Sequence, residues 1–204
     1  MEVKSNKVVG ILAAQGDFAM HARILSRIGV AWKLVKHAGD FVEIDALIMP
    51  GGESTTILKF LAEGGAGDAL KNFAQQGKPI FGTCAGAILL AKEVLNPPQE
   101  SLGLIDISIE RNAYGRQMES AVRLGECPAL SDHPLEMVFI RAPVIRKVGE
   151  GVKILGRAEG LSVLVEQAHV LAATFHPELT GDETIHRYFL KKLDARLPSA
   201  SPAR

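Results

Sequence analysis

The stretch Pro79-Ile80-Phe81-Gly82-Thr83-Cys84-Ala85-Gly86-Ala87-Ile88-Leu89-Leu90 constrains the fold more than any other part of the chain. The apolar pair Ile80-Phe81 reads as a buried strand, and Ala87 to Lys92 reads as a helix that follows at once. Only Gly82-Thr83-Cys84-Ala85-Gly86 lies between them. So short a passage from strand to helix strains the backbone of its central residue and brings neighbouring chain close. The positions two before and two after must then do without a Cβ, and glycine occupies both. The pattern is the cysteine version of the Gly-x-Ser-x-Gly elbow. It sets Cys84 at a helix N-terminus, where the positive end of the helix favours a thiolate. A lone cysteine among apolar residues is ordinarily a small buried hydrophobe. A chemical role for Cys84 therefore requires a base and oxyanion donors from elsewhere in the chain.

The flanking elements set the fold class. Val8 to Ala14 is a continuous apolar run suited to a parallel strand covered on both faces. Gln15-Gly16-Asp17 is a turn with Asp17 as N-cap, Phe18 to Ile28 carries a helical apolar face, and Gly29 is its C-terminal cap. Ala31 to Val35 and Ala46 to Met49 are the next strands. The second of these ends in Pro50-Gly51-Gly52-Glu53-Ser54-Thr55-Thr56-Ile57, with a helix running on through Phe60-Leu61, and a further helix spans about Asp68 to Gln76. This alternation predicts an α/β fold: a flavodoxin-like, doubly wound, mostly parallel sheet with helices on both faces and sites at the carboxyl ends of its strands. Beyond Asn96-Pro97-Pro98-Gln99, where the helix after Cys84 is expected to end, the rhythm changes. Strands at Ile105–Glu110, Gln117–Leu124, Met137–Ile140, Val152–Leu155, Leu161–Glu166 and Val170–Thr174 follow without long helices, predicting a smaller antiparallel β portion. A last helix runs from about Thr184 to Ala195. Residues 1–196 are expected to form one domain, and residues 197–204 a frayed tail.

Composition removes several function classes. Twenty-three Lys plus Arg balance 23 Asp plus Glu, which argues against nucleic acid or an anionic membrane as partner. Cys84 and Cys127 lack any Cys-x-x-Cys spacing, against a zinc site or a disulfide framework, so no metal is expected. No apolar run approaches the ~20 residues of a membrane span, and the first residues carry no signal-peptide pattern. A cytoplasmic location is the expectation.

A base and a carboxylate stand together in Phe175-His176-Pro177-Glu178-Leu179. In extended chain, residues i and i+2 point to one side, so His176 and Glu178 are expected to converge with Pro177 stiffening the segment. Cys84 as nucleophile, His176 as base and Glu178 as the group that orients the imidazole make a triad. Its anionic intermediate needs donors: Ala85 N–H beside the nucleophile, and the Gly51-Gly52 backbone at a neighbouring strand's end. That glycine pair lacks the Gly-Lys-Ser/Thr of a phosphate loop, which speaks against nucleotide. His21, His37, His133, His169 and His186 lack this grammar and are expected to be structural or surface residues. Cys127 is expected to be inert.

With Gly82-Thr83-Cys84-Ala85-Gly86 and His176-Pro177-Glu178 the chain resembles the class I, triad-type glutamine amidotransferases. Ala14 to Phe18, Gly51 to Thr56, Arg111-Asn112-Ala113-Tyr114-Gly115-Arg116-Gln117 and Phe175 to Thr180 resemble, within them, the glutaminases that serve pyridoxal 5′-phosphate synthesis. It departs from the usual pattern in having Met20 before His21 and Ala121 after Ser120. The resemblance implies hydrolysis of glutamine through a Cys84 thioester, with His176 and Glu178 completing the triad. It implies contacts to L-glutamine from Gly52, Glu53, Ser54, Arg111, Ile140 and Arg141. The implied partner is a (β/α)8-barrel synthase subunit in a large hetero-oligomer, whose docking activates the glutaminase. No cofactor is implied, pyridoxal 5′-phosphate being the product of the complex. Other readings of the same residues are the glutaminase of a different amidotransferase, a cysteine peptidase or thiol-stress protein on a similar sheet, and a binding subunit with an incidental triad.

Overall fold

Seven strands form the main sheet of the computed structural model, which describes residues 7–113 and 120–194. In chain order the first half runs β1 (Val8–Leu12), α1 (Phe18–Ile28), β2 (Ala31–Val35), β3 (Ala46–Met49), α2 (Ser54–Ala62), α3 (Ala66–Gln75), β4 (Ile80–Thr83) and α4 (Ala85–Leu90). The second half runs β5 (Ala91–Leu95), β6 (Ile105–Glu110), β7 (Ser120–Gly125), β8 (Leu135–Ile140), β9 (Val144–Val148), β10 (Lys153–Ala158), β11 (Leu161–Gln167), β12 (Val170–Ala173) and α5 (Thr184–Asp194). The sheet order is β10-β11-β12-β4-β3-β1-β2, parallel from β12 to β2 and antiparallel at the β10-β11-β12 edge. The α/β class and mostly parallel sheet are as the strand–helix alternation predicts.

Period two divides the core. Along β3, Leu47 and Met49 face one apolar cluster while Ala46 and Ile48 face the other. The first cluster takes Ile57, Leu70, Phe73 and Ile88 from α2, α3 and α4; the second takes Leu25, Ile185 and Phe189 from α1 and α5. Both faces are thus covered, and β1, β3, β4 and β12 read as apolar runs.

The second half departs from the sequence reading at two elements. The helix after Cys84 ends at Leu90, and Ala91–Leu95 is a strand, β5, paired parallel with β6. Packing explains it: Ala87 to Leu90 are all buried, so the helix sits wholly inside, and the chain leaves it extended with Lys92 and Glu93 exposed. A further strand, β9, pairs antiparallel with β6, and β7 with β8 forms a separate antiparallel ribbon. The expected tail at residues 197–204, and the first residues of the strand expected at Gln117–Leu124, lie outside the described residues. Among the described residues no helix is long and apolar enough to cross a membrane.

Topology brings three chain ends together. β4 lies between β3 and β12 in parallel, so the segments leaving all three emerge side by side. The Cys84 N–H donates to Ala173 O at 2.8 Å, locking the elbow to the end of β12.

Candidate active site

Cys84 is the sharp point of the β4–α4 elbow. Its φ of 47° and ψ of −103° lie in a region that non-glycine residues rarely occupy. The two flanking glycines are needed for contact. A Cβ on Gly82 would stand 2.7 Å from the Gly86 carbonyl carbon and 2.8 Å from Ala87 N, and one on Gly86 would run into Met49 O. Cys84 is nearly buried, with its sulfur 3.9 Å from Ile140 O.

His176 leaves β12 with its N–H donating to Val138 O of β8 at 2.8 Å. Pro177–Leu179 is a 3₁₀ turn, not the extended segment expected from sequence. Pro177 at its first position pre-sets the turn. His176 Nδ1 and Glu178 Oε1 meet across it at 2.8 Å, both side chains almost wholly buried. A carboxylate only accepts, so Nδ1 carries the proton and Nε2 is left for the Cys84 sulfur. Burial alone pulls the His176 imidazole down, but its bonds to Cys84 and Glu178 overcome this and push it up to about 10. Burial likewise opposes charge on Glu178. The charges and hydrogen bonds of His21 and His176 outweigh it and hold the carboxyl well below the ordinary carboxylate range.

A cleft of about 320 Å³ opens over Cys84 and His176. Gly52, Glu53, Ser54, Ala85, Arg111, Ile140 and Arg141 line it with them. Gly51 sits just beneath: a Cβ there would collide with the His176 ring and stand 3.2 Å from the Cys84 Cβ. The Gly51 N–H donates to Thr83 Oγ1 at 3.1 Å. The peptide joining Gly51 to Gly52 turns its carbonyl onto Gly16, so its N–H points the opposite way. Within the cleft Arg111 stands 3.9 Å from Glu53. Ser54 is buried and donates its hydroxyl to Gln99 at 2.9 Å. Tyr114 to Gln117, part of the resemblance, lie outside the described residues. A larger cleft of about 490 Å³ lies at β5, β6 and β9, lined by Lys92, Glu93, Asp106, Ser108 and Lys147, and holds neither cysteine nor histidine.

Sequence reasoning passed over several residues that stand here. Gln15 and Asp17 line the cleft, and Asp17 Oδ2 is 3.7 Å from His176 Nδ1. The signal was available, since their turn follows the carboxyl end of a parallel strand. Asp17, His176 and Glu178 could each offer one atom to a cation, but Nδ1 and Oε1 are already bonded to each other. Behind the triad, His21 and His186 are fully buried. His21 Nε2 lies 3.4 Å from Glu178 Oε2 and 3.3 Å from Thr83 Oγ1, and His21 Nδ1 lies 3.0 Å from His186 Nε2.

Residues 11–195 match the model of the SNO glutamine amidotransferase family. The chain is 52% identical over 183 residues to a protein of Koribacter versatilis named pyridoxal 5′-phosphate synthase subunit PdxT, covering 90% of this chain and 94% of that one. It is 51% identical over 186 residues to the protein of the same name from Thermus thermophilus, covering 90% and 96%. A solved structure described as a glutamine amidotransferase superposes with a TM-score of 0.86 at 48% identity, covering 91% of this chain and 98% of that chain.

Proposed function

The chain belongs to the SNO glutamine amidotransferase family, and from that membership we propose how its own residues take ammonia from glutamine. It is a glutaminase that hydrolyses L-glutamine to L-glutamate and ammonia, and the ammonia serves pyridoxal 5′-phosphate synthesis with a synthase partner. The observation that carries the residue-level reading is the convergence of Cys84, His176 and Glu178 on one cleft that also holds Glu53, Arg111 and Arg141. Free glutamine bears an α-carboxylate and an α-ammonium. An arginine fork receives the first and Glu53 the second, while Gly52, Ser54 and Ile140 complete the bed.

The Cys84 thiol gives its proton to His176 Nε2, leaving a thiolate beside an imidazolium, and the sulfur attacks the side-chain carbonyl carbon, forming the C–S bond as the carbonyl pair moves onto oxygen. Ala85 N–H and the Gly51-Gly52 segment receive that oxyanion, each such donor being worth about 3–4 kcal/mol. Gly51 N–H is held by Thr83, so the amide of Gly52 is the donor this segment offers. His176 gives its Nε2 proton to the amide nitrogen, the C–N bond breaks and ammonia leaves. Water then loses a proton to Nε2 as its oxygen bonds to the thioester carbon, the C–S bond breaks to release glutamate, and Nε2 returns the proton to the departing Cys84 sulfur. Each step uses side chains and backbone N–H groups, so the reading calls on no cofactor or metal. A cytoplasmic location suits it, because a nucleophilic thiol must stay reduced.

The partner we infer is a (β/α)8-barrel synthase subunit in a large hetero-oligomer. A two-glycine segment can rotate its peptide, which gives docking a means to complete the oxyanion hole. The test is glutamate release from glutamine with and without the synthase subunit, with Cys84→Ala as control. Release only with the partner, absent in Cys84→Ala, is the expected result. Equal release with and without the partner removes docking dependence. Release by Cys84→Ala removes the thioester.

A further inference from the structure

We propose that His21 is a positioning residue of this reaction, a single buried imidazole that sets the triad carboxylate and the anchor of the oxyanion segment together. The inference rests on the glutaminase reading above and adds to it a role for a group outside the cleft.

The geometry has three arms. His21 Nε2 stands between Glu178 Oε2 at 3.4 Å and Thr83 Oγ1 at 3.3 Å. Glu178 Oε1 is the atom that holds His176 Nδ1, and Thr83 Oγ1 is the atom that accepts the Gly51 N–H. The third arm is His186 Nε2, 3.0 Å from His21 Nδ1, which fixes the ring plane. His21 comes from α1, Thr83 ends β4, Glu178 follows β12 and His186 lies on α5. One imidazole therefore ties four elements to both halves of the catalytic apparatus.

The chemistry of the donors assigns the protons. A carboxylate can only accept, so the His21 nitrogen facing Glu178 and Thr83 is an N–H in either charge state of the ring. Glu178 Oε2 is shut off from water and completes no hydrogen bond among the described residues, and the His21 N–H at ion-pair distance, 3.4 Å, is the polar group that faces it. A buried carboxylate oxygen without a donor is costly. Without His21, Glu178 gains by turning Oε2 toward some other donor, and Oε1 then leaves His176. The imidazole loses its fixed tautomer and orientation, and the Thr83 hydroxyl that steadies Gly51 loses its neighbour. His21 touches neither the cleft nor glutamine, so its removal acts on the chemical step and leaves substrate binding in place.

The experiment uses the complex with the synthase subunit and compares wild type, His21→Leu and His21→Gln. The glutamine side-chain nitrogen stands the same number of bonds from Cα as Nε2, so His21→Gln keeps an N–H where His21→Leu has none. The expected result is a fall in glutaminase kcat of roughly 10- to 100-fold in His21→Leu, with KM within about threefold, and recovery of most of the loss in His21→Gln. In parallel, Cys84 alkylation by iodoacetamide at pH 7 is followed in the same variants. It needs no glutamine, so it tests His21 even if the substrate were wrongly identified. It should slow in His21→Leu and recover in His21→Gln. An unchanged kcat or an unchanged alkylation rate in His21→Leu overturns the proposal. So does equal impairment of the two variants, which is what mere core filling predicts, or an effect confined to KM. If His21→Leu does not fold, the comparison of His21→Gln with wild type decides: a loss beyond about tenfold in kcat overturns the role given to the N–H.

Discussion

Glu178 shows how much one buried atom pair controls. Its Oε1 accepts from His176 Nδ1 at 2.8 Å, and this bond keeps Nε2 turned to the sulfur. Glu178→Gln keeps the shape but can offer an N–H to Nδ1, which imposes the wrong tautomer. We expect kcat to fall roughly 10³- to 10⁴-fold with KM little changed, because residue 178 does not line the cleft. Steady-state glutaminase assays with the synthase subunit measure it, and a loss below tenfold would mean that His176 is oriented by something else. Asp17, 3.7 Å from Nδ1 and half exposed, is the nearest alternative carboxylate. At this scale the sequence was legible where chemistry is local: Gly-x-Cys-x-Gly and His-Pro-Glu are short motifs whose spacing states their purpose. His21 and His186 meet from positions 165 residues apart, and no local pattern announces such a contact. Glu53, Arg111 and Arg141 were reachable only through resemblance, because charged loop residues are ordinarily solvated, and so was Ile140, an ordinary apolar residue at the end of β8.

Among the elements, α4 carries the most for its length. It has six residues, all buried, and it begins against the end of β3. Gly86 makes that approach possible, since a Cβ there would enter Met49 O, a backbone atom of β3 that cannot move alone. Gly86→Ala should therefore destabilise the fold by about 1–3 kcal/mol, as overpacking of a rigid core does, and push the elbow out of line with His176. Gly29→Ala is the control for glycine substitution as such. It meets no atom within 4 Å, and its cost is confined to its φ of 83°. Urea unfolding of the two variants measures the difference, and equal midpoints would count against a contact-driven role for Gly86. The same packing explains which elements could be read. β1, β3, β4 and β12 are buried on both faces, so their runs are continuous and unambiguous. β5 was hidden because Ala91–Leu95 carries Lys92 and Glu93 outward and continues a helical-looking run. The turn Pro177–Leu179 is too short for any period to reveal it.

Over the whole molecule, the buried histidines set opposite limits on stability with pH. His176 is raised from 6.5 to about 10 in the fold. The folded chain thus holds a proton that the unfolded chain loses above pH 6.5. Its contribution is full below about 6.5, declines as pH rises, and is gone above about 10. His186 is the reverse case. Burial first, then the charge of His21, lowers it to about 3, so it stays neutral while the unfolded chain takes up a proton below 6.5. Its contribution is present above about 6.5 and is lost as pH falls toward 3. Glu178, lowered from 4.5, adds to that acid loss. The two limbs meet near pH 6.5, and thermal unfolding should show its highest Tm there. His176→Asn removes the titrating group of the alkaline limb and, with it, one of the partners that hold Glu178 down on the acid limb. Its Tm deficit against wild type should be largest near pH 6 and shrink toward pH 10, while its acid limb is shallower than that of wild type because Glu178 is held down less. A deficit that stays constant from pH 6 to 10 would show that His176 gains no proton affinity on folding. The imidazolium that gives its Nε2 proton to the leaving amide nitrogen would then arise only when the partner or glutamine is bound.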